Sequence, residues 1–459
     1  MMHPTADRRT FLQTAPAAIA LTASSYSRVC GANERVGVGV IGYGLIAQTH
    51  IRTFRKLEDV AIVSVAECHK RRLAEGIEAA GGKATAYSDF RKLLDDKAVQ
   101  AVVVATPDHW HALMTMLACA ADKDVYVEKP LTRFVREGEW MQTVAARTKR
   151  VIQVGTQQRA GTHYKKARDL IRSGHIGTIS SVRMVSVRNI FPGFGNPADT
   201  PPPADLDWEM WLGPAPARKY NSLRGLYHFR WFWDTAGGQM TNLGAHHLDI
   251  IDWMLGLGGL KAVTSVGGRY ALKDGCETPD TQDALFDCGT FSAAFVMREA
   301  ARGERASFGL TFHGTRGQLG IDRSSFAVTP DLDIAPVNQI PGVVAGHPAG
   351  GPVAVGSREP KPLTQAITDK TGESTAQYLG HARDFIDCVK SRKQPASDLA
   401  SAHRTAVACH LANLSLRLGR SLRWDWAKNA VLDDKEANAM LTLPYRAPWD
   451  RELKALELC

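Results

Sequence analysis

Two side chains in this sequence suit proton and oxygen chemistry on a small molecule, Lys129 and His246. Lys129 stands in Glu128-Lys129-Pro130, directly after an apolar run. An ammonium there could bind a hydroxyl and stabilise the alkoxide character that develops as a hydride leaves the same carbon. Taken alone, the tripeptide reads more simply as a turn with a surface lysine. His246 lies in the 237–249 stretch GGQMTNLGAHHLD. An imidazole can take the hydroxyl proton in such a reaction. Asn242 stands four residues earlier, a spacing that brings two side chains together on a helical turn. The neighbouring His247 reads equally as a substrate contact and as a hydrogen-bonded core residue.

Two further motifs would hold the hydride acceptor. Gly42-Tyr43-Gly44-Leu45-Ile46-Ala47 is a G-x-G-x-x-A between an apolar strand and a helix. Gly42 permits the tight turn, Gly44 lets backbone approach a pyrophosphate, and small Ala47 allows close helix–strand packing. The first N–H groups of the helix then face the phosphates. Glu67 ends the next strand, where a carboxylate could accept from a ribose 2′-OH and would repel a 2′-phosphate. NAD is therefore favoured, with Arg71 and Arg72 keeping NADP open. The plainer reading of Glu67 is a solvated acid at a strand end. The second motif is Thr106-Pro107-Asp108-His109-Trp110-His111. Thr106 and Pro107 are expected to turn under the nicotinamide half, with His109, His111, Glu128 and Lys129 beside the cofactor. Asp108 or His109 could instead cap the helix that follows.

These groups work together only if the fold brings them to one edge of one sheet. Short apolar runs at 35–41, 60–66, 99–105, 124–127 and 151–154 read as strands. Helical patterns fall between them, at 47–57, 69–80, 89–94, 109–121 and 137–148. That alternation predicts a parallel sheet covered on both faces. Ligands of such sheets bind beyond the carboxyl ends of the strands. From about residue 156 the texture changes. A helix at 163–173 precedes a strand at 179–188, a Pro-rich loop at 192–203 and an aromatic-rich segment. Strands at 291–297 and 306–312, set between Gly-rich turns, predict a largely antiparallel sheet. A Pro- and Gly-rich loop covers 335–362, and helices cover 376–390 and 401–418. The fold class is an α/β Rossmann domain over 34–155 followed by an α+β domain over 156–459.

The 459 residues allow two or three domains with a sizeable core. The net charge of +9 is modest, and no Lys/Arg run is interleaved with aromatics, so a nucleic-acid surface is not expected. Asp7-Arg8-Arg9-Thr10-Phe11-Leu12 and the mildly apolar run after it read as a twin-arginine export signal within 1–33. The run is too short to span a bilayer as a helix. This predicts a periplasmic or otherwise extracytoplasmic protein. Among the eight cysteines none forms a CxxC, and no Cys/His spacing suggests a metal.

The four motifs, in this order, resemble the glucose–fructose oxidoreductase / inositol dehydrogenase family, Gfo/Idh/MocA. The likeness extends to Val154-Gly155-Thr156-Gln157-Gln158-Arg159 and to Tyr445-Arg446-Ala447-Pro448-Trp449. It implies a second domain with a large open sheet, used for oligomer formation, and so a homo-oligomer, dimer or tetramer. It assigns Lys129 to the family lysine near the reacting carbon and His246 to the family histidine. Many members carry aspartate where Asn242 stands. Asn242 has no charge with which to raise the basicity of His246, which departs from a plain inositol dehydrogenase mechanism. Asn242 is then expected to position the histidine. Arg230 and Asp234, in the aromatic segment 227–234, are placed near a sugar, with Arg159 and Tyr164 as weaker candidates. The expected activity is hydride transfer between NAD (or NADP) and a sugar or cyclic polyol, with the nucleotide held tightly because free NAD is scarce outside the cytoplasm. One alternative is a redox-neutral glycosidase that oxidises, eliminates and re-reduces. A second is a non-catalytic sugar- or nucleotide-binding protein on the same scaffold.

Overall fold

The computed structural model describes residues 35–301, 308–333 and 360–458. The expected export signal and all but the end of the 335–362 loop lie outside the described residues.

The first sheet contains β1 (Val36–Ile41), β2 (Val60–Ala66), β3 (Thr85–Tyr87), β4 (Ala101–Val104), β5 (Asp124–Glu128) and β6 (Ile152–Gly155). All are parallel, in the order β3-β2-β1-β4-β5-β6. β1, β4 and β5 are buried along their whole length, as their unbroken apolar runs require. The crossovers are α1 (Leu45–Phe54), α2 (Lys70–Ala79), α3 (Phe90–Asp95), α4 (Asp108–Ala120) and α5 (Val135–Thr148). Strand order reverses between β1 and β4, so their carboxyl ends part around a crevice.

Next come α6 (Thr162–Arg172), β7 (Ile179–Val187), α7 (Trp208–Leu212) and α8 (Ala245–Met254). The strands β8 (Ala262–Gly268), β9 (Thr281–Asp287), β10 (Ser292–Arg298), β11 (Phe308–Gly314), β12 (Gly317–Ile321) and β13 (Phe326–Pro330) follow. The chain continues through β14 (Ile367–Asp369), α9 (Ser374–Ser391), α10 (Leu399–Leu418), β15 (Leu422–Asp425), β16 (Ala430–Val431), α11 (Lys435–Ala439) and α12 (Trp449–Ala455). The ten strands form one sheet, β14-β13-β12-β11-β7-β10-β9-β8-β15-β16. Among the described residues only the β7–β10 pair is parallel, so the mostly antiparallel expectation holds. Burial alternates along β9 and β10. One face packs under α8 and α10 through Leu248, Ile251, Val407 and Leu411; among the described residues no helix covers the strands Ala262–Gly268 and Thr281–Asp287 on the other, where Val266 and Leu285 are exposed.

Beyond the helices expected at 376–390 and 401–418, the second domain continues through β15, β16, α11 and α12. Phe385 and Ile386 of α9 complete the cluster that holds Val38, Val40 and Phe54. Trp449 of α12 packs on Trp110 and Phe90, with ring centroids 4.7 and 6.1 Å away. The first sheet is therefore covered by both halves of the sequence. This is why α4 is buried on nearly every side.

Candidate active site

A crevice opens at the ends of β1 and β4, lined by Gly42, Gly44, Leu45, Ile46, Glu67, Thr106 and Pro107. Gly42 has φ +86°, and a Cβ there would lie 2.9 Å from Ala105 O. Only glycine suits that turn. Gly44 differs, because a Cβ on it would meet no protein atom within 4 Å. The room it leaves belongs to the crevice. α1 begins at Gly44 with no side-chain cap, so its first N–H groups are left for an anion. Glu67 ties the turn together. Its Oε2 accepts from Tyr43 N–H at 2.7 Å and its Oε1 from His69 N–H at 3.0 Å. A glycine cradle, an uncapped helix start and an acid at the end of β2 fit a dinucleotide.

A second, polar cavity shares Leu45, Ile46, Thr106, Phe229 and Arg230 with the crevice. Asp108, Glu128, Lys129, Asn242, His246 and Arg323 line it. The two parallel-sheet strands β4 and β5 end here, which places Thr106 and Lys129 at its floor. Buried Glu128 anchors the end of β5. Its Oε1 meets His50 Nε2 at 2.8 Å and accepts from Gln157 Nε2 at 2.7 Å, and its Oε2 accepts from Lys129 N–H at 3.2 Å. Burial opposes its charge, but His50 and Lys129 outweigh that and hold the carboxyl below its ordinary value.

Among the described residues the Lys129 ammonium pairs with no carboxylate. Nζ donates to Asn242 Oδ1 at 2.8 Å and to Asn242 O at 3.1 Å. Burial pushes its pKa down to about 8, against the pull of Glu128. His246 is held well below the ordinary imidazole value by burial, then by the charges of Lys129 and Arg323. It is therefore neutral near pH 7. Met240–Gly244 forms a single π turn ahead of α8, a local widening that recurs at functional sites. It corrects the expected role of Asn242, which faces Lys129 and not His246. Its Nδ2 donates to Gln239 Oε1 at 2.9 Å, and His246 Nδ1 has no partner among the described residues.

Several expected ligand contacts are structural. His109 is buried and its Nε2 meets Trp211 O at 3.0 Å. His111 bridges Pro130 O and Thr106 O, at 2.6 and 2.9 Å, and so fixes the turn under the crevice without lining it. The Tyr43 ring packs against Gly76 and the core, leaving only its backbone at the crevice. Arg159 is buried on Asp249, at 2.7 Å, with Asp252 at 3.9 Å. Tyr164 is fully buried with Ala167 and Ile171 on the inner face of α6. His247 meets Ser186 Oγ at 3.0 Å and Val185 O at 3.1 Å under the second sheet. Asp234 pairs with Arg218 at 2.6 Å, outside both cavities. Arg230 lines both cavities, its guanidinium over Tyr227 and Phe229.

Four polar residues of this cavity escaped the sequence reading as site residues: Asp108, Gln157, Arg323 and Tyr378. Asp108 and Gln157 sit inside motifs already singled out. Arg323 and Tyr378 come from the β12–β13 turn and from α9, and carry no local signature.

Two family models cover the chain. One, "Oxidoreductase family, NAD-binding Rossmann fold", matches residues 36–156. The other, "Oxidoreductase family, C-terminal alpha/beta domain", matches 160–266 and 366–451. The chain belongs to the Gfo/Idh/MocA oxidoreductase family. Its relatives include an uncharacterised oxidoreductase of Bacillus subtilis, 22% identical over 63% of this chain and 75% of that protein. Myo-inositol 2-dehydrogenase of Thermotoga maritima is 27% identical over 32% of this chain and 44% of its own length. The match thus spans less than half of that enzyme. Among solved structures, levoglucosan dehydrogenase with NADH and levoglucosan has a TM-score of 0.64 at 18% identity, covering 85% of this chain and 99% of that one. The WlbA dehydrogenase of Bordetella pertussis, solved with NADH and UDP-GlcNAcA, has a TM-score of 0.61 at 16% identity over 85% of this chain and 99% of its own. The two-sheet Gfo/Idh/MocA fold and its NAD-binding domain are therefore those of this chain.

Proposed function

We propose that this Gfo/Idh/MocA protein transfers hydride between NAD in the glycine-lined crevice and a secondary alcohol of a sugar or cyclic polyol in the polar cavity. One observation carries the reading: Lys129 Nζ, held by neutral acceptors, and His246 line one polar cavity, which adjoins the glycine-lined crevice through Leu45, Ile46, Thr106, Phe229 and Arg230. Bound NAD supplies the hydride acceptor. The residues supply the rest. Lys129, charged below about pH 8, binds the substrate oxygen and stabilises its developing negative charge. Neutral His246 takes the hydroxyl proton as hydride leaves the same carbon, and returns it in the reverse direction. Arg230, which lines both cavities, donates to the hydroxyls of the ligand and orients it. Glu67 favours NAD over NADP.

The Arg8-Arg9 motif supports export of the folded protein with its nucleotide retained, to a periplasmic or other extracytoplasmic location. The open sheet face exposes Val266 and Leu285, by 64% and 62%. That apolar face supports a homo-oligomer built through the second sheet.

The test is a panel of sugars, polyols and glycosides presented to purified protein, with NADH absorbance and products followed together. Oxidised sugar formed with reduction of NAD, or of a second sugar, is the expected result. Aglycone release without net redox change would move the protein to the redox-neutral glycosidase class. Binding of nucleotide and sugar with no conversion would leave a binding protein.

A further inference from the structure

The polar chain that holds Lys129 runs one residue deeper than the reacting groups. Lys129 Nζ donates to Asn242 Oδ1, and Asn242 Nδ2 donates to Gln239 Oε1. Gln239 is 1% exposed. An ammonium donates and never accepts. Lys129 therefore demands the Asn242 oxygen, which sends the Asn242 NH2 toward Gln239, which in turn must offer its own oxygen. With the charge present, this is the one polarity that satisfies both amide contacts. Gln239 Nε2 is left buried with no partner among the described residues. A glutamine serving only to fill space would not need that polarity.

We propose that Gln239 is a positioning residue, which locks the Asn242 amide with its oxygen toward Lys129 and so keeps the ammonium charged and in place in the polar cavity. The inference rests on the reading of Lys129 as the group that stabilises the reacting oxygen. The alternative amide orientation would set an NH2 where the oxygen now lies, and so would favour the neutral amine. The other groups facing Lys129 do not fix its position. Glu128 comes from its own strand, Asp108 from α4 and Arg230 from the turn after α7. Arg323 comes from the β12–β13 turn, His246 from α8 and Cys409 from α10. Among these the two acids and two arginines oppose each other, so the neutral amide contact decides the geometry.

The experiment reads Lys129 directly. The NAD-loaded enzyme is reductively methylated with carbon-13, the Lys129 resonance is identified by its absence in Lys129→Arg, and its titration is followed by NMR. Sugar kinetics are measured alongside on unlabelled enzyme. Gln239→Met is expected to lower the Lys129 midpoint by at least about half a pH unit. It is expected to cut kcat by about tenfold to a hundredfold, with KM for NAD unchanged and the alkaline limb of the pH profile moved the same way. Gln239→Ser, which leaves room for water, is expected to act in the same direction. Gln239→Glu keeps an acceptor for Asn242 and should move the midpoint upward, with most of kcat retained. A Lys129 midpoint that stays put in Gln239→Met and Gln239→Ser, or falls in Gln239→Glu as well, would overturn the proposal. Wild-type protein that turns over no sugar would instead count against the functional reading, and the Lys129 titration would still decide the lock.

Discussion

Lys129 and Arg159 are both cations taken out of water, and they show two uses of the same cost. Arg159 is enclosed by Asp249 and Asp252. Burial alone would weaken its charge, but the aspartates overcome that and raise its pKa. Lys129 is enclosed by an amide and a carbonyl, so burial prevails and its pKa falls to about 8. A cation neutralised by carboxylates is a structural clamp with nothing left to offer a ligand. A cation held by neutral dipoles keeps its field for a reacting oxygen. The difference lies in the partners, and not in burial or residue type.

Removing each cation should separate the two uses. Arg159→Met leaves Asp249 buried without its counter-ion, and should cost about 3–5 kcal/mol of stability in urea unfolding. The protein that stays folded should retain its turnover. Lys129→Met should do the reverse. Its kcat should fall by about 10²–10³, the effect of losing one preorganised donor at a developing oxyanion, while the urea midpoint barely moves. If Arg159→Met instead abolished turnover in folded protein, the division between clamp and reacting cation would fail.

The two motif glycines offer a similar contrast at smaller scale. Gly44→Val points its side chain into the crevice and should weaken NAD about tenfold or more, from an overpacking cost of about 1–3 kcal/mol. Calorimetric titration with NAD would measure it, and thermal unfolding without nucleotide should not change. Gly42→Val meets Ala105 and a positive φ, so it should destabilise the fold itself.

The pH profile sharpens the account of Lys129 further. Turnover needs His246 neutral and Lys129 charged. The acid limb should therefore fall well below 6.5, where His246 gains its proton. The alkaline limb should fall near 8, where Lys129 loses its own. A profile flat from pH 7 to 10 would remove the ammonium from the mechanism. The smallest effect is expected at Asp234. Its pair with Arg218 is partly exposed, so Asp234→Asn should change stability by no more than about 1 kcal/mol and kcat/KM by less than about twofold.

The parallel sheet was legible because its strands are unbroken apolar runs and its motifs sit at their ends. Knowing that ligands lie beyond those ends was enough to bring Gly44, Glu67, Thr106 and Lys129 to one place. The errors have different causes. Asn242 was paired with His246 on α-helical spacing, and the π turn at Met240–Gly244 breaks that spacing. Tyr164 could have been assigned to the core, since Tyr164, Ala167 and Ile171 recur at helical spacing on one face of α6. Arg159 could not. Its partner Asp249 lies 90 residues away, and pairing over that distance leaves no local pattern. Arg323 and Tyr378 were invisible for the same reason, each reaching the cavity from a segment with no motif of its own.

The central claim is that Lys129 serves the hydride-transfer step and not the binding of nucleotide. The most direct measurement loads wild type and Lys129→Met with NAD, quantifies the nucleotide after denaturation, and follows the NADH absorbance band through a single turnover with an active sugar. The account predicts equal, near-stoichiometric nucleotide in both, with the band forming readily in wild type and at least about a hundredfold more slowly in Lys129→Met. Equal rates of band formation in the two proteins would contradict it.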